Sequence, residues 1–133
     1  MIPKIIYGDN FVDQRGTIRF NNNFELQNIK RFYEIENKDI NFKRGWVGHK
    51  IEKRWFIATL GKTLIKVILI DDILKEKDQK VIEFELNDIK RNVLYVPNGY
   101  ATLIQQNVSG SRLLVFSDYY LGEINDNYKF TDI

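Results

Sequence analysis

The only histidine in the chain, His49, stands in the stretch 44–61. That stretch gathers around it the residue types that acid–base chemistry on an anionic substrate needs. An imidazole is the side chain whose ordinary pKa puts proton exchange near neutral pH. Arg44, Lys50 and Arg54 place cations within a few residues of it, and Arg15 and Arg31 add two more upstream. Guanidinium forks suit the paired oxygens of a diphosphate. Solvated surface positions are the competing reading for Arg44 and Arg54. Trp46 and Tyr100 offer flat faces for a nucleobase or sugar, though core packing or a subunit interface would use them equally well. Gly48 lets the backbone approach a ligand closely.

These residues need a scaffold, and the chain around them reads as strands. Continuous strand spacing puts Trp46, Gly48, Lys50, Glu52 and Arg54 on one face. Val47, His49, Ile51 and Lys53 take the other, so His49 is expected among apolar neighbours, as in a barrel interior. Residues 54–60 and 63–70 are rich in β-branched and aromatic side chains, and Gly61-Lys62 between them reads as a hairpin turn. Further strands are expected over residues 4–7, 17–20, 29–35, 80–86, 93–96, 100–106 and 111–117. Asp13-Gln14-Arg15-Gly16 and Pro97-Asn98-Gly99 mark turns, and residues 107–110 join the last two strands as a pair. One helical turn is expected near Ile73-Leu74. Residues 75–78 read as a solvated loop, and the tail from 118 to 133 as irregular or briefly helical, its tyrosines at a dimer interface. Many short strands with turn signals about every 8–12 residues indicate an all-β jelly roll, either barrel or sandwich.

Composition narrows the function classes. A length of 133 residues suits a single domain over 1–133. The net charge of +2 is too small to argue for nucleic acid. No cysteine is present, so thiol chemistry and disulfides are excluded. The longest apolar run, residues 67–70, is far short of the roughly 20 residues of a membrane helix. The N-terminus lacks a secretory pattern, and a cytoplasmic protein without a membrane partner is expected.

The segment around His49 resembles the first sequence box of the cupin superfamily, two histidines two residues apart, then an acid, then a glycine. Gly61 matches the glycine and His49 the second histidine. Val47 stands at the first histidine and Arg54 at the acid, while Thr102 takes the place of the second-box histidine beyond Pro97-Asn98-Gly99. One surviving ligand of four implies no metal in the usual cupin place. The chain is similar over nearly its whole length to metal-free cupins that act on nucleotide sugars. The resemblance is carried by Asp13-Gln14-Arg15-Gly16, by residues 29–35, by Arg44-Gly45 with Gly48-His49-Lys50, and by Ser117-Asp118-Tyr119-Tyr120 followed by Tyr128 and Phe130.

Among these it most resembles the dTDP-sugar 3,4-ketoisomerases, with the 3,5-epimerases of deoxyhexose synthesis related. The resemblance implies isomerisation of a dTDP-4-keto-6-deoxyhexose for surface polysaccharide, without cofactor, by a homodimer. Exchange of N-terminal strands between subunits is common in that group. It implies His49 as acid or base with Tyr33 beside it, and Arg15, Arg31, Arg44, Trp46, Lys50, Arg54 and Tyr100 around the dTDP-linked sugar. Valine at position 47, where relatives carry a proton-moving histidine, leaves two alternatives open. One is an epimerase using the same α-proton chemistry, and the other is a non-catalytic nucleotide-sugar or carbohydrate-binding module.

Overall fold

The computed structural model describes residues 1–76 and 78–131. Its strands are β1 (Lys4–Ile6), β2 (Asp9–Asp13), β3 (Gly16–Phe20), β4 (Arg31–Ile35), β5 (Lys43–His49), β6 (Arg54–Leu60), β7 (Lys62–Leu69), β8 (Ile82–Asn87), β9 (Val93–Val96), β10 (Tyr100–Gln105), β11 (Arg112–Ser117) and β12 (Tyr128–Lys129). One short helix, α1 (Ile70–Leu74), follows β7 where the helical turn was expected. The strands form two five-stranded antiparallel sheets, ordered β1-β9-β6-β11-β4 and β12-β5-β10-β7-β8. This is the jelly-roll sandwich expected of a cupin. Strands β2 and β3 form a separate two-stranded hairpin. Among the described residues no helix is long and apolar enough to cross a membrane.

Alternation along the strands fills the space between the sheets. Phe56 and Ala58 of β6, Leu94 and Val96 of β9, and Leu113 and Val115 of β11 come from one sheet. Ile65 and Val67 of β7, Leu86 of β8 and Ile104 of β10 meet them from the other. Burying side chains of this size contributes about 1.5–3 kcal/mol each, so this core is the main force holding the sheets face to face.

Two expected hairpins are not hairpins. β6 and β7 lie in different sheets, as do β10 and β11. Gly61 is a corner that carries the chain from one sheet to the other, at φ 72°. A Cβ there would strike Ser111. The Gly61 amide donates to Asp88 (2.8 Å), and the Lys62 amide to the Ser111 hydroxyl (3.0 Å). A two-residue glycine turn looks the same in sequence whether its strands pair or part. Only the facing sheet decides.

The tail is irregular as expected up to residue 127 and departs from expectation only at its end. Residues 118–127 form turns, and β12 then adds to the edge of β5, pairing Tyr128 with Gly48 and Lys129 with Val47. Part of the loop expected at 75–78 (Lys77) and the end of the tail (Asp132 and Ile133) lie outside the described residues.

Candidate active site

At one end of the sandwich a cavity of about 560 Å³ opens between the sheets. Arg31 and Tyr33 reach it from β4, and Arg44, Val47 and His49 from β5. Arg54 enters from β6, and Thr102 and Ile104 from β10. The tail forms a further wall, with Tyr120, Leu121, Ile124, Asp126 and Asn127 among its contributors.

Two irregularities of the backbone decide who faces inward. The first is a bulge in β5. Thr102 pairs with Val47 and Leu103 with Gly45, which leaves Trp46 as the extra residue. Gly45 sits at φ 134°, and a Cβ there would collide with the Thr102 carbonyl. Strict alternation from His49 would send position 45 inward; the bulge sends Arg44 instead. Trp46 stays outside the cavity, its carbonyl accepting from the Phe130 amide at 3.0 Å. The second irregularity is the turn at 50–53, which ends β5 before β6 begins. Continuous strand spacing put Glu52 and Arg54 on the face opposite His49. The turn brings both to its side.

His49 is half-buried. Burial pushes its pKa below the ordinary value of about 6.5, and the positive charge of Arg54 lowers it further. The nearby Glu52 and the contact to Asp126 oppose the shift without reversing it. The imidazole is therefore neutral at pH 7. Its Nδ1 lies 2.7 Å from the carbonyl oxygen of Asp126 and 3.8 Å from Glu52.

Arg54 is only 5% exposed. Its guanidinium stacks over Phe56 and donates to the Thr102 hydroxyl at 3.2 Å. Among the described residues no carboxylate forms an ion pair with it. A buried cation is costly unless something anionic offsets it, so this cation is suited to an anion brought by a ligand. Arg31 lies over the Tyr33 ring, donates to the Tyr119 carbonyl at 3.2 Å, and stands 3.5 Å from Glu52. Arg44 is held by Asn37 at 3.1 Å. Three guanidinium groups thus line one cavity with the imidazole.

Arg15, Trp46, Lys50 and Tyr100, expected around the ligand, do not line the cavity. Arg15 sits at the tip of the β2–β3 hairpin, 76% exposed and paired with Asp13 two residues away. The Lys50 ammonium lies over the Tyr128 ring at the surface. Tyr100 packs near the N-terminus, its hydroxyl 3.4 Å from the Met1 carbonyl. Arg15 and Lys50 lie past the ends of their strands and Trp46 is the bulged residue, whereas Tyr100 shares its face of β10 with Thr102 and Ile104 but stands at the first residue of the strand.

Sequence reading missed Glu52, Asp126, Thr102 as a partner of Arg54, and the tail wall. Tyr120, assigned to a dimer interface, lines the cavity. Glu52 is 7% exposed, and among the described residues its Oε2 has no hydrogen-bond partner. An acid three residues after the lone histidine was its only signal. Asp126 is 5% exposed, and its carboxylate accepts the amides of Lys50 (2.8 Å), Ile51 (2.9 Å) and Glu52 (2.8 Å). Hydrogen bonds to charged groups are worth about 1.5–3 kcal/mol each, so Asp126 is a main anchor of the turn. No local pattern announces a contact across some 75 residues of chain. Among the described residues no group of three His, Cys, Asp or Glu could hold a metal ion. Valine, arginine and threonine at the three remaining cupin ligand places have no chemistry to offer one.

Residues 2–132 match the family model described as FdtA: WxcM-like, C-terminal. No curated protein matches the chain. Among solved structures, the QdtA 3,4-ketoisomerase from Thermoanaerobacterium thermosaccharolyticum, a point mutant in complex with TDP-4-keto-6-deoxyglucose, superposes with a TM-score of 0.72. It is 26% identical, with 95% of this chain and 86% of that one covered. A 3,4-ketoisomerase from Helicobacter canadensis gives 0.70 at 25% identity, covering 96% and 90%. The dTDP-4-dehydrorhamnose 3,5-epimerase of Bacillus anthracis gives 0.74 over 93% and 76%, at 16% identity, a likeness of fold alone.

Proposed function

The chain belongs to the FdtA, WxcM-like C-terminal family, and on that premise we propose that it is a nucleotide-sugar-modifying enzyme. More finely, we propose a 3,4-ketoisomerase of a TDP-4-keto-6-deoxyhexose. The observation that carries this reading is a half-buried imidazole in the same cavity as Arg31, Arg44 and Arg54.

The chemistry needs a base, an oxyanion site and an anion clamp. Neutral His49 takes the proton from C3, α to the C4 ketone. The electron pair becomes the C3–C4 double bond, and the charge moves to O4. Buried Arg54 stabilises that oxyanion, the kind of preorganised charge that such steps depend on most. Return of the proton to C4, with transfer of the O3 proton to O4, leaves the ketone at C3 and a hydroxyl at C4. No oxidant or cofactor is consumed. Tyr33 lies in the same cavity and shares or orients the proton. Arg31 and Arg44 hold the diphosphate. Position 47 contributes shape only, so the proton traffic that two histidines would divide falls to His49.

A homodimer is part of the proposal. The β2–β3 hairpin exposes Phe11 (53%), Val12 (68%) and Ile18 (57%), and a two-stranded ribbon is marginal without a face to pack on.

The test is incubation with TDP-4-keto-6-deoxyglucose in D2O, followed by NMR. A 3-keto product with deuterium at C4 is expected. Deuterium uptake with the 4-keto group retained would make the protein an epimerase. Saturable binding with neither change would make it a binding module.

A further inference from the structure

We infer that Asp126 is a positioning residue for His49. Through it the C-terminal strap, residues 118–131, holds the imidazole with its proton on Nδ1 and leaves Nε2 as the acceptor.

A carbonyl oxygen can only accept. The 2.7 Å contact between Nδ1 and the Asp126 carbonyl therefore requires the proton on Nδ1. In a neutral ring the basic lone pair then belongs to Nε2. The carbonyl is itself held in place. The carboxylate of the same residue accepts the amides of Lys50, Ile51 and Glu52, the three residues that follow His49. One residue thus grips His49 by its main chain and the next turn by its side chain.

The strap is seated on both sides of this grip. β12 pairs with Gly48 and Val47, and the Phe130 amide donates to the Trp46 carbonyl at 3.0 Å. Gly48 makes room for it, because a Cβ there would come within 3.0 Å of the Phe130 ring. The strap also walls the cavity through Tyr120, Leu121 and Ile124. A segment that looks like a tail is in this fold a part of the site.

The role of Asp126 in turnover rests on the ketoisomerase reading, whereas the tautomer does not. With one histidine in the chain, a long-range ¹H–¹⁵N spectrum shows a single pair of ring nitrogens. The wild type should show a protonated Nδ1 and a bare Nε2. In Asp126→Ala the proton should redistribute toward Nε2. Misplacing a reacting group by about 1 Å can cost on the order of a hundredfold in rate, so kcat should fall by about that much while TDP affinity holds within about twofold. Asp126→Asn keeps one accepting oxygen, guards against a folding failure, and should lie between the two. A wild type protonated on Nε2 would overturn the inference. So would folded variants with wild-type nitrogen shifts, or with altered shifts and wild-type kcat. A wild type protonated on Nδ1 that turns over no keto sugar would sink the ketoisomerase reading and leave the tautomer assignment standing.

Discussion

Two chain reversals in this molecule each depend on an aspartate, and they have different consequences. At the tip of the β2–β3 hairpin Asp13 accepts the amide of Arg15 at 2.9 Å and pairs with its guanidinium. The partners are two residues apart and open to water. Hydrogen bonds from the Arg15 side chain and amide hold the Asp13 carboxyl below its ordinary pKa, yet an exposed pair of this kind adds little to stability. At the turn between β5 and β6 the aspartate is Asp126, 5% exposed, and its partners are more than 70 residues away. The first contact shapes only its own loop. The second joins the end of the chain to its middle, turns Glu52 and Arg54 toward His49, and encloses a cavity. Burial and sequence separation, rather than residue type, separate a local turn from a site.

The sharpest way to break that comparison is to remove the group the buried turn serves. His49→Asn should lower turnover at least about a hundredfold, the lower end of what general acid–base catalysis supplies, while TDP affinity measured by calorimetry stays unchanged. Wild-type turnover in the variant would pass the proton to Tyr33 and strip the turn of its purpose.

Next in size is the cation beside that turn. Arg31→Ala should weaken TDP binding about tenfold or more, the loss of one charge-assisted contact of about 1.5–3 kcal/mol. An unchanged dissociation constant would remove Arg31 from the diphosphate.

The pH dependence sharpens the same point. Burial and Arg54 lower the pKa of His49, with Glu52 and Asp126 opposing. The base works when neutral, so the acid limb of kcat/KM should have its midpoint below about 6.5. Folding favours the neutral ring for the same reason. Its contribution to stability is complete above the unfolded value and is lost as pH falls through the lowered folded one. Denaturant titrations at stepped pH should show that loss in the wild type and not in His49→Asn. A limb centred above 6.5 would mean that the carboxylates outweigh burial.

The smallest effect belongs to the exposed hairpin. Arg15→Ala should leave TDP affinity within about twofold and stability within about 0.5 kcal/mol, as surface substitutions usually do. A loss matching that of Arg31→Ala would mean that the hairpin of a second copy reaches the cavity, and the two reversals would then serve one site.

Much of the fold is legible in the order of residues alone. Alternating β-branched and aromatic runs cut by Gly, Asn and Pro announce the strands, and β9 falls at Val93–Val96 as expected. Strand-forming residues and turn residues act over two to five positions, which is the range at which sequence patterns speak. His49, Tyr33, Arg31, Arg44 and Arg54, singled out by residue type and resemblance, all line one cavity. Trp46 and Lys50 are singled out by the same reasoning and face away. Their placement by the ligand came from residue type and resemblance, whereas strand alternation already put both on the face opposite His49.

Composition and short-range pattern settle the class of fold, the single imidazole and the supply of guanidinium groups. Which strands pair is settled only when the two sheets meet. Their packing turns Gly61 into a corner, brings Glu52 and Arg54 round to His49, and folds the tail into a wall with Asp126 at its centre. Each of these outcomes depends on a partner dozens of residues away, and such a contact leaves no periodic trace in the segment that makes it.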